Sequence, residues 1–488
     1  MTPSIKRLKK WFFFFLILSI GSFEALVVAQ KTMASDLFFQ HKNLRHAGVG
    51  FKMVDIETGK VVKSYNENMA LCPASTLKVL TTATALELLG KTYRFTTQIA
   101  YEGTIDPQGA LTGDLIVLGQ GDPSLGSSFF PGQTEGFLGD WVEKVRQAGI
   151  QSILGDIVVV DNLYGYEGVS NRWIWQDLGN YYASGTYGIS VFDNTYQLVL
   201  RSKGVGSQPE VVSTIPDIPG LTFENHLKAA ANSIDSAYLY GTPFNLKRQL
   251  YGSIPANRFR FIIKGDIPDP GLLLAQTFKR YLEKGDIKIN GNAVTSKTKE
   301  QKGLNRPNLL YTHKGNTLQE IIQVTNFRSN NHFAEHLFHK IGWDRATAAS
   351  VYVPALAAHR IQQFWRGKGI DTEGLFQYDG SGLSTSDAIS ANTLTALLVY
   401  MQKESKYADV FYQSLPIAGE EGTVRSFLKG TSLAGKARIK SGSISNVQAY
   451  AGYLEKGGKR YAFTLLINNF TGSRAVLKGQ IEKLLQGI

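Results

Sequence analysis

Cysteine is almost absent from this chain of 488 residues: Cys72 stands alone, so no intramolecular disulfide can form and stability has to come from a buried core. A lone thiol without an evident histidine partner reads as a small apolar residue. Repeats of solenoid period and low-complexity tracts are missing as well, which sets aside stacked-repeat and disordered architectures. Acidic residues are scarce beside basic ones, 40 against 52, and the formal charge of +12 favours anionic surroundings such as phospholipid headgroups, anionic wall polymers or nucleic acid. Beyond Lys6-Arg7-Leu8-Lys9-Lys10 there is no basic block and no aromatic-plus-basic signature of RNA binding. Nucleic acid is therefore excluded as a partner, while peripheral association with membrane or wall is admitted. What is present is ordinary globular composition, 43% hydrophobic and 19% charged, at a length that accommodates two or three domains.

The first basic block precedes the apolar run 11–20, and Val27-Val28-Ala29 supplies a small-residue end, the three-part plan of a secretory signal. Glu24 interrupts the run, which falls short of the roughly 20 apolar residues of a membrane span. The expectation is cleavage after Ala29 and export to the periplasm or cell envelope. No cysteine follows the apolar stretch, which disfavours a lipid anchor.

Residues 48–55 and 60–65 then read as two strands around Glu57-Thr58-Gly59. Leu77, Leu80, Ala83, Leu86 and Leu89 recur at helical spacing, with Ser75 at the opening and Gly90 as the stop. From about 91 to 305 short β-like runs such as 115–118 and 156–160 alternate with Gly, Pro and Asp, the texture of an inserted module. Within it, 214–263 is richer in Pro and small polar residues and reads as a nested unit. Helical texture returns over 318–341 and 394–401. The chain then closes with two strands, 437–453 and 459–468, and a helix over 476–485. The predicted organisation is a signal peptide over 1–29, a split core domain over 30–100 and 306–488, an inserted domain over 101–213 and 264–305, and a nested domain over 214–263. The fold class is α/β of the α+β type, an antiparallel sheet flanked by helices.

Three short motifs occur in order: Ser75-Thr76-Leu77-Lys78, Ser329-Asn330-Asn331 and Lys440-Ser441-Gly442. The first two recur by chance elsewhere, at Ser296 to Lys299, Ser426 to Lys429, Ser64-Tyr65-Asn66 and Ser390-Ala391-Asn392; the ordered trio carries the signal. Residues three apart on a helix share a face, so Lys78 can reach the Ser75 hydroxyl. A helix N-terminus also offers free N–H groups to a developing oxyanion. Ser75 is the candidate nucleophile and Lys78 its base, provided that Lys78 is neutral. Bringing a lysine pKa from near 10.4 to about 7 disfavours the ammonium form by about 4 kcal/mol, to which burial and a second cation, Lys440, would both contribute. Lys440 is equally a candidate for a substrate carboxylate. Gly442 lets a strand approach a ligand closely, and the N–H of Ser443 is a candidate partner for that of Ser75 in an oxyanion hole. Ser329 can relay a proton to a leaving amine while Asn331 orients a peptide.

With Pro73-Ala74 ahead of Ser75, Asn331-His332-Phe333-Ala334-Glu335 after Ser329, and Asp379-Gly380-Ser381-Gly382-Leu383-Ser384, the trio resembles the class C low-molecular-mass penicillin-binding proteins, the D-alanyl-D-alanine carboxypeptidase/endopeptidase family. The likeness spans nearly the whole mature chain. The gap of about 250 residues between Ser75 and Ser329 suits a family in which two mainly β domains are inserted into a penicillin-binding, transpeptidase-like core; compact β-lactamases have no room for them. The resemblance implies an exported serine-type D-Ala-D-Ala carboxypeptidase, also a D,D-endopeptidase, that requires no metal or organic cofactor. Its partners would be peptidoglycan stem peptides and, as covalent acylating agents, β-lactam antibiotics. It implies Ser75 as nucleophile, Lys78 as base, Ser329 and Asn331 in proton relay and positioning, and Lys440 at the terminal carboxylate, with Ser441, Gly442 and Ser443 as the substrate-binding strand. Trp173-Ile174-Trp175-Gln176-Asp177 resembles a family segment whose acidic residue contacts the amino group of the stem's diamino acid, which implies Asp177 as substrate-binding. Two positions depart from the pattern: Ser441 replaces the commoner Thr but keeps the hydroxyl, and Asn330 stands where Asp is frequent, leaving one charge near Lys78 unaccounted for.

Other readings compete. His332-Phe333-Ala334-Glu335-His336 matches His-x-x-Glu-His, a zinc-peptidase pattern, but no third ligand stands out downstream. Together with His339 these histidines read as a packing face of a helix. A serine β-lactamase would share the motifs and need a base for deacylation, and no residue can be assigned to it. A non-catalytic wall-binding or β-lactam-sensing module would not need the trio intact. Gly119-Gln120-Gly121-Asp122-Pro123 lacks Walker spacing and reads as a turn, and residues 379–384 read first as a tight Gly-rich loop.

Overall fold

The central sheet has five antiparallel strands in the order Val61–Tyr65, Gly48–Asp55, Lys459–Asn468, Val447–Lys456 and Ala437–Ile444. The structure is a computed structural model that describes residues 37–130, 132, 134–165, 167–299, 307–343 and 352–488; the expected signal segment over 1–29 lies outside the described residues. Side chains alternate across each strand. Ala449, Ala451 and Tyr453 therefore face a helical core with Leu80, Leu86 and Phe333, while Tyr450, Leu454 and Phe463 face the terminal helix Arg474–Gly487 through Leu477 and Ile481. Burial of both faces accounts for the nearly unbroken apolar run from Val447 to Leu454.

Two elements differ from the sequence reading. The single strand expected over 437–453 is two: the chain reverses after Ile444, which pairs with Val447 across Ser445 and Asn446. Ser445 takes a φ of 32°, the left-handed conformation that a two-residue hairpin favours, and no glycine marks the place. The helical texture over 318–341 is likewise two helices, Leu318–Arg328 and Asn331–Trp343. Ser329 sits between them at φ 57° and ψ 40°, and Asn330 caps the second helix by accepting from the Phe333 N–H at 2.9 Å. The side chain standing where Asp is frequent thus serves as an N-cap, a task that either residue performs.

The helix Leu77–Leu89 runs through the helical core and ends at Gly90, whose φ is 85°. Its buried threonines return their hydroxyls to the preceding turn, Thr82 to the Lys78 carbonyl at 2.6 Å and Thr84 to that of Leu80 at 2.7 Å. Between this helix and Leu318 the chain builds a second core. A five-stranded sheet in the order Ala293–Thr295, Ile157–Val160, Leu115–Gly119, Arg94–Tyr101, Asn308–Thr317 packs with the helices Gly136–Gln147 and Pro270–Lys284, where Trp141 meets Phe278 edge-on at 5.4 Å. Arg94–Tyr101 and Asn308–Thr317 pair antiparallel, so the segment leaves and re-enters the central layer at neighbouring points. Smaller sheets occupy 195–266, among them Thr222–Asn225, Lys247–Tyr251 and Tyr238–Tyr240 side by side. Among the described residues no helix is long and apolar enough to cross a membrane.

Candidate active site

Ser75 lies in a 3₁₀ turn, Ala74–Thr76, that feeds the helix Leu77–Leu89. It is two residues ahead of the α-helix proper, and Ala74 before it has a φ of 45°, a conformation costing a non-glycine residue about 1–2 kcal/mol. Lys78 is fully buried, and its Nζ lies 2.9 Å from Ser75 Oγ, 2.7 Å from Asn331 Oδ1 and 2.7 Å from the Ser381 carbonyl. The Asn331 amide is oriented by its other end, Nδ2 donating to the Tyr182 carbonyl at 2.7 Å. Burial lowers the Lys78 pKa to about 7, against the opposing charges of Asp379, Glu335 and Asp387.

The three oxygens around Lys78 suit either protonation state: an ammonium donates to all three, Ser75 Oγ included. Asn331 Oδ1 and the Ser381 carbonyl can only accept, so on deprotonation the amine keeps its two N–H groups on them and its lone pair is left for the Ser75 hydroxyl. Lys440, also fully buried, donates to Ser329 Oγ at 2.8 Å and to the Ser441 carbonyl at 2.7 Å. Burial, and then the charge of Lys78, hold its pKa well below the ordinary lysine range.

Gly442 brings the third motif against the nucleophile: a Cβ there would stand 2.6 Å from the Pro73 carbonyl and 3.0 Å from the Ser75 nitrogen. Ser441 Oγ donates to Thr423 at 2.9 Å, and Ser443 is exposed on the cleft wall. The cleft measures about 600 Å³, with Ser75, Ser329, Asn331, Ser443 and Asp177 among its lining residues and Lys264 and Arg328 as its cations. Asp177 accepts from the Tyr182 hydroxyl at 3.2 Å, and its partial burial raises its pKa.

Sequence reasoning undervalued the loop 379–384. Its backbone is clamped by two carboxyl groups: Glu335 accepts from the N–H groups of Gly380 and Ser381, at 3.0 and 2.8 Å, and Asp379 from those of Gly382 and Ser384, at 2.6 and 2.7 Å, and from Trp173 Nε1 at 2.8 Å. This clamp aims the Ser381 carbonyl at Lys78. Burial and the nearby Asp379 push Glu335 up to about 8, and Asp387 beside them is also held well above the carboxylate range. The legible signal was the spacing from Asn331 to Glu335, four residues on one helix and hence one face.

The histidines turn elsewhere. His336 meets Ser190 Oγ at 2.7 Å and the Gly121 carbonyl at 2.9 Å, and His339 Nδ1 meets the Glu335 carbonyl at 2.9 Å. They therefore pair with hydroxyl and backbone groups, away from the Glu335 carboxyl. Among the described residues no group of three or more His, Cys, Asp or Glu side chains is arranged to hold a metal ion. Burial raises the Cys72 thiol pKa, the opposite of what a nucleophilic thiol needs.

The model of the D-Ala-D-Ala carboxypeptidase 3 (S13) family matches residues 31–485 of the chain. A D-alanyl-D-alanine carboxypeptidase of Actinomadura sp. (strain R39) is 27% identical over 454 residues, 90% of this chain and 80% of that protein. The D-alanyl-D-alanine carboxypeptidase DacB of Haemophilus influenzae is 26% identical over 90% of this chain and 89% of its own length. The crystal structure of penicillin-binding protein 4 (dacB) from that organism superposes with a TM-score of 0.78 at 23% identity, covering 93% of this chain and 98% of its own; its complex with a novel β-lactam gives 0.74. These superpositions share the penicillin-binding fold.

Proposed function

The chain belongs to the D-Ala-D-Ala carboxypeptidase 3 (S13) family and is a serine-type D-Ala-D-Ala carboxypeptidase, and we propose that Ser75 carries the reaction through an acyl-enzyme on peptidoglycan stem peptides. The observation that carries this reading is the buried Lys78 Nζ at 2.9 Å from Ser75 Oγ, held there by Asn331 and the Ser381 carbonyl, with its pKa lowered to about 7. Lys78 takes the hydroxyl proton as Oγ bonds to the carbonyl carbon of the penultimate D-Ala. The N–H groups of Ser75 and Ser443 receive the oxyanion. The proton passes by Lys78 and Ser329 to the departing nitrogen, the C–N bond breaks, and terminal D-Ala leaves. Water then attacks the ester, Lys78 again taking the proton, and Ser75 is restored.

Asn331 holds the base and positions the peptide. Lys440, donating to Ser329 and to the strand of Ser441, Gly442 and Ser443, is the group assigned to the terminal carboxylate, and Asp177 suits a cationic group on the stem's diamino acid. Cleavage of D-alanyl cross-links is the same chemistry with a larger amine departing. A β-lactam, whose amide replaces the peptide, acylates Ser75 in turn; the β-lactam complex of the Haemophilus protein supports this. The proposal includes export, with 1–29 as the signal. It also divides the chain into the split core expected over 30–100 and 306–488, the inserted domain over 101–213 and 264–305, and the nested domain over 214–263, with the border strands Arg94–Tyr101 and Asn308–Thr317 pairing into the inserted sheet.

Intact-mass analysis after brief exposure to benzylpenicillin tests the reading, with peptide mapping of the adduct. A stable single adduct at Ser75, lost in Ser75→Ala along with D-Ala release, is expected. Drug consumed without an adduct would mean a β-lactamase, and labelling that survives Ser75→Ala would overturn the assignment.

A further inference from the structure

Outside the cleft, a cluster of exposed aromatic rings lies on a small sheet beside it. Thr222–Asn225, Lys247–Tyr251 and Tyr238–Tyr240 form three strands in which Tyr238 stands opposite Tyr251 and Tyr240 opposite Gln249, with Glu224 next to Gln249 on the far side. Because side chains alternate, one face carries Leu239, Leu250 and Arg248, all buried, and the other carries the tyrosines with Gln249 and Glu224. The rings run on from strand to strand. Trp175 lies over Tyr240 at 6.2 Å, Tyr240 meets Tyr251 edge-on at 5.7 Å, and Tyr251 stacks on His226 at 4.8 Å. Trp175 is 55% exposed and Tyr251 42%, so the stripe leaves large apolar area in water, which in a soluble chain marks an interaction surface.

We propose that this stripe binds the sugar backbone of the substrate, a β-linked amino-sugar strand, alongside the cleft. The inference rests on the reading that the cleft takes peptidoglycan stem peptides. Two observations select sugar as the occupant. The first is continuity: Tyr238, on the same strand as Tyr240, lines the cleft that holds Ser75, as do Ile174 and Gln176 on either side of Trp175. A stem peptide seated there is covalently joined to its glycan, which has to leave the cleft across a neighbouring surface. The second is chemistry. Pyranose rings present C–H faces that pack on aromatic rings and hydroxyl edges that need planar polar partners, and between these rings lie Gln249 and Glu224. Glu224 is itself engaged by Lys247 at 2.7 Å, His226 at 3.0 Å and Gln249 at 3.4 Å. A lipid surface would call for a basic rim around the rings rather than a carboxylate among them.

The test uses the mature chain carrying Ser75→Ala, so that nothing is cleaved, and measures its co-sedimentation with insoluble peptidoglycan. Tyr251→Thr removes a ring while keeping strand propensity, and Trp175→Ala removes one from a loop. Each is expected to weaken sedimentation by about fivefold, the worth of one aromatic contact, and soluble N-acetylglucosamine oligomers are expected to compete. Phe259→Ala, at an 82% exposed ring paired with Arg201 outside the stripe, should leave binding unchanged. With Ser75 restored, the Tyr251→Thr chain should still form the benzylpenicillin adduct, which also certifies its fold; if it does not fold, Trp175→Ala decides. Unchanged sedimentation in the folded variants, or no competition by the oligomers, overturns the stripe as a glycan site. Absence of the adduct in the parent chain would instead overturn the Ser75 reading.

Discussion

Lys78 has to be neutral to act and is placed so that neutrality is attainable. Burial brings its pKa to about 7, so raising the pH through that value converts ammonium to amine and frees the lone pair for the Ser75 proton. The rate of acylation by benzylpenicillin is therefore expected to rise with pH to a plateau, with an inflection near 7, when followed by quench and mass analysis from about pH 5 to 9. A flat profile would remove Lys78 as the base. The same displacement bears on stability. The folded state binds fewer protons than the unfolded one between about 7 and the ordinary lysine value of 10.5, so this group's contribution is present in full above that ordinary value and is lost as pH falls toward 7. At this scale the trio of motifs made Ser75, Lys78, Ser329, Asn331 and Lys440 legible, because spacing along a helix and order along the chain are sequence properties. The charges around Lys78 were not. The second cation expected to press on it, Lys440, turns to Ser329, while the groups acting on Lys78 after burial are three carboxyls from two distant segments, Glu335 on a helix and Asp379 and Asp387 on one loop.

The elements bring these residues together by close backbone approach, and glycine is where the approach is tightest. The strand Ala437–Ile444 lies so near the turn Ala74–Thr76 that a methyl group on Gly442 would meet the Pro73 carbonyl at 2.6 Å and the Ser75 nitrogen at 3.0 Å. Gly442→Ala is expected to push the strand off the nucleophile by several tenths of an ångström and lower the acylation rate about a hundredfold. Thermal unfolding should shift much less, because the strand is the edge strand of the sheet and pairs on one side only. Stopped-flow labelling beside a melting curve checks both halves. Element boundaries show where sequence patterns run out. Hydrophobic alternation found the strands and the buried helix, but the reversals at Ser445 and Ser329 are made by serines in left-handed conformations, which leave no glycine or proline as a marker. At Ser329 the unmarked break serves the site: it ends one helix, begins the next, and leaves the hydroxyl on Lys440.

At the scale of the molecule, two kinds of attraction act on a polyanionic, sugar-based wall. The formal charge of +12 draws the protein to phosphate-bearing polymers and headgroups, and salt screens that attraction as the Debye length shrinks from roughly 14 Å to about 4 Å between about 0.05 and 0.5 M. Ring stacking on sugars is short-ranged and does not depend on salt in this way. Binding of the Ser75→Ala chain to peptidoglycan that retains its anionic polymers is therefore expected to fall steeply across that range and then level off above zero, whereas polymer-stripped peptidoglycan should show only the level portion. Turnover of a soluble D-Ala-D-Ala tripeptide, too small to reach either surface, should stay nearly constant over the same salt range. The titratable groups nearest the nucleophile are shielded from salt: Lys78 and Lys440 are buried, and Asp177 is half-buried against Tyr182. If tripeptide turnover fell in parallel with wall binding, the positive potential would be acting at the cleft itself, with the exposed cations Lys264 and Arg328 on its wall as the residues responsible.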